Sequence, residues 1–476
     1  MKISFTNRYL RLMRISLTCW LVSAIFNLWV SCDVSDSSGK EGWEALPQIL
    51  SQIIPPTFPA QDFNIIDYEA VGDGKTDCTD AFRTAILVCH NSGGGRVIVP
   101  AGIYLTGAIH LKSNVNLHVT QNATILFSSN IQKYLPLVLT RFEGVECMNY
   151  SPFIYAFEQE NIAITGSGTL DGQAGEDSWW AWKGNSNDGW KAGEPNQNSD
   201  RTELFRMAED GIPVEERIFG ENHYLRPNFI QPYKCQNVLI DSVTIKRSPM
   251  WEIHPVLCEN VIVQNVNIIS YGPNNDGCNP ESSKNVLIKN SYFDTGDDCI
   301  AIKSGRNADG RRVKVASENI VIQGCTMKDG HGGVVIGSEM SGSCRNVFVE
   351  NCTMDSPNLE RALRIKTNSM RGGVVENIYL RNVTVGEVSD AVVKINFNYG
   401  EGDVGQNTPV VRDIYLSNVT SRKSRYAISL VGYERSPVTN FNLDNCRFNG
   451  VQEGNMLRYY KDLNMKSVYI NGQLQN

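Results

Sequence analysis

Positive charge is not in excess in this chain of 476 residues: 51 acidic and 44 basic side chains leave it at −7, with a pI near 5.6. The overall balance exerts no pull on nucleic acid, so an anionic partner has to be met by a local group of cations. Charge is not dense enough for disorder either, since 20% charged and 41% hydrophobic residues describe an ordinary globular composition. The 13 cysteines lack zinc-ligand spacing and do not form the close framework of a small disulfide scaffold. No nucleotide, haem or metal motif occurs, so neither a cofactor nor a metal is expected. Most cysteines sit in strand-like surroundings, as Cys352 and Cys446 do. They read as small core residues, with room for a disulfide or two after export.

Long apolar runs are scarce as well. The principal one, Ile15–Val30, follows Lys2, Arg8, Arg11 and Arg14. Its 16 residues include Ser16, Thr18, Ser23 and Asn27, which is short for a span of about 20. Residues 1–32 therefore read as an export signal, and no transmembrane span is expected in the mature chain. Val30-Ser31-Cys32 is similar to the end of a bacterial lipoprotein processing box, although Trp29 stands where Leu is usual. Cys32 is thus a candidate lipid anchor, with plain cleavage nearby as the alternative. The expected location is outside the cytoplasm: periplasmic, outer-membrane lipoprotein or secreted. Residues 33–61, containing Ser, Gly and Pro, read as a linker, and 62–476 as one folded domain with an insertion at about 173–227.

Glycine is abundant, with 40 residues, many of them isolated between short Val/Ile-rich runs, as expected of tight turns joining many short strands. These runs repeat. Asn or Asp precedes alternating apolar residues at Asn237, Asn260, Asn285, Asn319, Asn346, Asn377, Asp413 and Asn440, with spacings of 23, 25, 34, 27, 31, 36 and 27. Less regular copies begin at Asn114 and Asn161. A unit of 23 residues holds about three short strands, so each unit makes one turn of a coil, and stacked units bury residues such as Val286 and Ile288 in a continuous core. Stacked Asn side chains can pair from coil to coil. The leucine spacing of a leucine-rich repeat and the long uniform units of a propeller are both missing. The fold class expected is all-β, a single-stranded right-handed parallel β-helix. A helix over Thr79–His90, capped by Asp77 or Thr79, would plug its open end.

Four clusters interrupt the repeat: Asn274-Asn275-Asp276, Gly296-Asp297-Asp298, Gly330-His331-Gly332, and Arg361 to Lys366. Asp276 to Asp297 is 21 residues, Asp298 to His331 is 33, and His331 to Arg364 is 33. In a coil, residues one repeat apart stack, so the acids, the histidine and the cations Arg364 and Lys366 should share one longitudinal stripe. Asp297 and Asp298 can both face outward only if the strand breaks there, which Gly296 permits. Clustered carboxylates cannot all ionise easily, so one keeps a proton while others stay charged. That division suits protonation of a glycosidic oxygen and activation of water. Arg364 and Lys366, alternating on one strand, would bind a carboxylate on the sugar.

At these clusters the chain resembles the polygalacturonase family of glycoside hydrolases, parallel β-helix enzymes that hydrolyse α-linked galacturonate in pectin. The resemblance runs from about Phe63 to Tyr399. It implies Asp297 as general acid, Asp276 and Asp298 positioning and deprotonating the water, His331 supporting the acid, and Arg364 with Lys366 gripping the substrate carboxylate. It implies inversion at the anomeric carbon, and hence carboxyl groups about 6.5–9.5 Å apart. Endo-acting members commonly have Asn-Thr-Asp where this chain has Asn274-Asn275-Asp276; with Lys303, Arg306 and Glu339 in their local motifs, the pattern resembles the exo-acting branch. Arg226, Lys303, Arg306, Asn274 and Glu339 are further candidates for substrate binding. Trp179, Trp180, Trp182 and Trp190 in the insertion are candidates for sugar stacking. The substrate expected is pectic polysaccharide or galacturonate oligosaccharide. Alternatives are a rhamnogalacturonan-type galacturonohydrolase, a pectate lyase, and a β-helix that binds carbohydrate without turnover.

Overall fold

A computed structural model describes residues 42–475. The export signal with Cys32, and the first part of the linker, lie outside the described residues. No helix among the described residues is long and apolar enough to cross a membrane.

The repeat units wind as one parallel coil. Their first strands, among them Gln236–Asp241, Glu259–Gln264, Lys284–Lys289 and Ser317–Gln323, form a sheet of 13 strands; their second strands form a sheet of 14. A third ribbon carries the strands Ile300–Ile302, Val334–Gly337, Arg361–Lys366, Ala391–Asn396, Tyr426–Val431 and Asn455–Arg458 in one sheet. Parallel crossovers of this kind are right-handed. Val261, Val286 and Ile320 stand in register, as do Val263, Ile288 and Ile322, and all six are fully buried.

The recurring Asn has two physical reasons. Asn237, Asn260, Asn285, Asn319, Asn346, Asn377 and Asn440 all have φ between 52° and 59°, the left-handed region that Asn tolerates better than most residues. Their amides also join neighbouring coils: Asn319 donates to Asn285 (2.9 Å), Asn346 to Asn319 (3.0 Å) and Asn377 to Asn346 (3.2 Å). A second ladder, Asn351, Asn382, Asn418 and Asn445, runs up another corner.

The linker reading of 33–61 does not hold for its described part. Helix α1 (Leu46–Gln52) packs Leu46 and Ile49 on outward apolar residues of the 13-stranded sheet, including Leu239, Ile262, Leu287 and Phe348. Those outward positions are apolar, so burial rather than tethering decides the conformation of this stretch. Helix α2 (Thr79–Asn91) buries Ala81, Phe82, Ala85, Ile86 and Cys89 over the first coils, as the sequence predicts. Asp77 accepts the Thr79 N–H (3.0 Å) at its start. All eleven described cysteines are buried thiols with no disulfide among them.

Candidate active site

The third ribbon floors a cleft of about 830 Å³ lined by Asp276, Asp297, Lys303, His331, Glu339, Arg364 and Lys366, among others. The strand break expected at Gly296 is present, between Tyr292–Thr295 and Ile300–Ile302. A Cβ on Gly296 would lie 2.4 Å from the Gly272 carbonyl oxygen, so only glycine lets the Asp297-Asp298 turn settle on the coil before it. The repeat arithmetic is off in register. Cys278 pairs with Ile300, Ile300 with Val334 and Val334 with Leu363, which sets Asp298 rather than Asp297 beside Asp276, and Arg364 beside Val335. Loops of unequal length between coils absorb the difference.

One oxygen from each of Asp276, Asp297 and Asp298 lies within 4.8 Å of the others. These facing oxygens are closer than the 6.5–9.5 Å between carboxyl groups that the resemblance implies. The three acids sit on two adjacent coils, whose spacing the stack imposes, and nearby cations offset the crowding. Asp298, fully buried, accepts from Lys366 Nζ (2.7 Å) and Arg364 Nη1 (3.4 Å). Asp276 accepts from Asn279 Nδ2 (2.8 Å) and has Lys303 Nζ at 3.5 Å. Burial, and then the charge of Asp297, push its carboxyl well above the usual range. Asp297 takes the Asp298 N–H (2.9 Å) and lies 3.0 Å from His331 Nδ1. Its burial opposes ionisation, but the His331 hydrogen bond, with the charges of His331, Lys366 and Lys303, holds it well below the carboxylate range. The same hydrogen bond pushes His331 up to about 9. Asp297 is the most exposed acid, its side chain 17% accessible against 3% for Asp276 and 0% for Asp298.

The other candidates divide. Lys303 lies in the floor over the Trp251 ring (4.4 Å) and 3.3 Å from Glu339. Arg306 reaches Glu143, Glu339 and Glu401 at 3.6, 3.5 and 2.9 Å. Asn274 lines the cleft, its Oδ1 accepting from Lys183 (2.7 Å) and Arg226 (2.8 Å). Arg226 is a correction: it is fully buried, donating to Gln197, the Pro249 and Pro273 carbonyls and Asn274, so it positions Asn274 and does not reach substrate. The insertion tryptophans are another. Trp179 is buried against Tyr134, Phe153 and Trp182, Trp182 packs on Tyr224, and Trp180 donates to the Ser248 carbonyl (2.8 Å). These three glue the insertion to the coil, and apolar burial outweighs sugar stacking for them, whereas Trp190 donates to the Glu194 carbonyl within the insertion (2.9 Å).

The insertion instead sends charge into the cleft. Lys183 follows Trp182, and Arg201 of α3 (Asn198–Glu209) pairs with Glu143 through two nitrogens. Sequence reasoning missed Lys183, Arg201, Glu143, Trp251, Arg371, Tyr399 and Glu401, all of which line the cleft. Tyr399, 33 residues after Lys366, carried a repeat-length signal; the loop residues carried none.

Residues 220–466, which contain the whole acid, histidine and cation set, match the profile described as Glycosyl hydrolases family 28. The chain belongs to that family. Within it, this family 28 chain is 48% identical to the hyperthermoactive exopolygalacturonase of Thermotoga maritima, whose crystal structure superposes with a TM-score of 0.89 over 91% of this chain and 97% of that one. It is 29% identical over 403 residues to a probable polygalacturonase of Vitis vinifera, covering 81% of this chain and 74% of that protein. It is 28% identical over 418 residues to the exo-poly-alpha-D-galacturonosidase of Dickeya chrysanthemi, covering 82% and 67% respectively.

Proposed function

We propose that this glycoside hydrolase is exo-acting and removes galacturonate units from the non-reducing end of pectic chains. The observation that carries the reading is the position of the insertion beside the cleft. The insertion sits on the coil before Asp276: a Cβ on Gly272 would lie 2.3 Å from the Trp180 ring, and Lys183 is bonded to Asn274. An insertion so placed would stop a continuous polymer on that side and leave room for a chain end. The exo-acting relatives in Thermotoga and Dickeya support the same reading.

In this reading Asp297, the accessible acid, delivers a proton to the glycosidic oxygen. The proton is held between Asp297 Oδ1 and His331 Nδ1, resting on the imidazole and passing through the carboxyl as the bond breaks. Asp276, which burial shifts toward its neutral form, orients the water, and Asp298 removes a proton from it. Arg364 and Lys366, which both reach Asp298, bind the sugar carboxylate. Water ends on the anomeric carbon, and the leaving oxygen carries the acid's proton. Inversion belongs to this proposal despite the short carboxyl spacing, because the water is held by Asp276 and Asp298 together. The anomer first seen by proton NMR checks it. Export by residues 1–32 belongs to it too, with palmitate labelling testing Cys32.

Products from galacturonate oligomers decide the main point. Monomeric galacturonate as the early product, without ultraviolet absorbance from unsaturated ends, is expected. Asp297→Asn should lower turnover by about 10²–10⁴-fold. A ladder of oligomers would mean endo action, absorbance a lyase, and binding without product a non-catalytic β-helix.

A further inference from the structure

Beyond Lys366 the outward row of the cleft floor continues in register through Asn396 and Val431 to Arg458. The row beside it runs from Arg364 through Lys394 and Ser429 to Met456. Three steps of a parallel sheet cover roughly 14 Å, about one sugar unit per coil. At the end of these rows lies a second concavity of about 620 Å³, lined by Asn398, Asp403, Tyr433, Arg435, Arg458 and Tyr459, with Glu434 on its wall. One loop borders both hollows, with Asn398 and Asp403 lining this one and Tyr399 and Glu401 lining the active cleft.

The cations along this path differ in what they are bonded to. Lys394 is paired with Asp390 (2.7 Å), and Arg435 is paired with Asp403 through both terminal nitrogens. Arg458 makes no ion pair among the described residues. Its guanidinium lies 4.9 Å over the Tyr459 ring and 3.3 Å from the Tyr459 hydroxyl. Tyr459 and Met456 are 37% and 40% exposed, at the open end of the floor. An unpaired guanidinium beside an exposed ring suits a sugar acid: the carboxylate meets the fork of N–H donors and the apolar ring face meets the tyrosine.

We propose that Arg458 and Tyr459 form a distal leaving-side subsite for the carboxylate of a uronate unit about three units beyond the one held by Lys366. This rests on the reading of the cleft given above. An exo-enzyme with such a subsite favours long chains, gripping the polymer well away from the bond it cuts.

Binding by Asp297→Asn protein, measured by calorimetry with galacturonate oligomers of increasing length, tests the subsite without turnover. Affinity should rise a further three- to fivefold once the chain spans from the closed end to Arg458, at about five units, and Arg458→Gln should remove that gain while leaving the dimer unaffected. In the active protein, Arg458→Gln should raise KM for long oligomers by the same factor and leave kcat unchanged. A parent affinity that levels off by the trimer overturns the proposal, as does a variant that weakens dimer and pentamer equally. Release of galacturonate from dimer by the parent enzyme reports separately on the exo-hydrolase reading.

Discussion

Asp276 and Asp297 are the same residue type a few ångströms apart, and their surroundings drive them in opposite directions. Asp276 is buried with only Asn279 and a more distant Lys303, so the neutral acid is favoured; Asp297 has His331, so the carboxylate is favoured. The shared proton of the Asp297–His331 pair gives a testable pH profile. Because His331 is raised to about 9, the pair keeps its proton below that pH and loses it above. The alkaline limb of kcat/KM should therefore fall near pH 9, and in His331→Gln it should move down several units toward the carboxylate range. The raised pKa also means that this contact stabilises the fold fully below about 6.5 and progressively less as pH climbs through about 9. These opposed surroundings were legible only in part: the sequence predicts that the carboxylates divide protonated and charged roles, but not which acid keeps the proton, since that depends on burial and on a 3.0 Å contact across coils.

The insertion is the element that, in the proposed reading, closes one end of the groove, and its attachment is hydrophobic. Trp179, 2% exposed and ringed by Tyr134, Phe153 and Trp182, is the main anchor. Replacing it with Ala should cost about 3–5 kcal/mol locally. The expected outcome is early proteolysis within 173–227 and the appearance of short oligomer products beside the monomer, read by mass spectrometry and chromatography. Helix α1 shows how local reading fails: its seven residues carry few signals of their own, and its position is decided by apolar residues on the outside of a sheet far along the chain. Helix α2 was legible because its apolar period is complete within one window.

Across the whole molecule, a net charge of −7 faces an acidic polymer, yet the cleft lining carries eight Lys and Arg side chains against six Asp and Glu, among the cations Lys183, Arg201, Lys303, Arg364 and Lys366. At 0.1 M salt the Debye length is about 10 Å, so substrate inside the cleft feels these cations and little of the distant surface. Raising ionic strength from about 0.1 to 0.5 M should increase KM for polygalacturonate several-fold with kcat nearly constant; a falling KM would mean that the net charge governs the encounter. The coil itself, its Asn corners, the plug helix and the Asp276, Asp297, Asp298, His331, Arg364 and Lys366 set were all determined by sequence alone, because each rests on a period or motif short enough to be read along the chain. The true register of the acids, the approach of their oxygens to within 4.8 Å, the burial of Arg226, the turning inward of Trp179, Trp180 and Trp182 and the placing of Lys183 and Arg201 in the cleft were decided by tertiary structure. Those features depend on how loops of unequal length lie across a stack, and that is settled by packing between residues that the chain order keeps far apart.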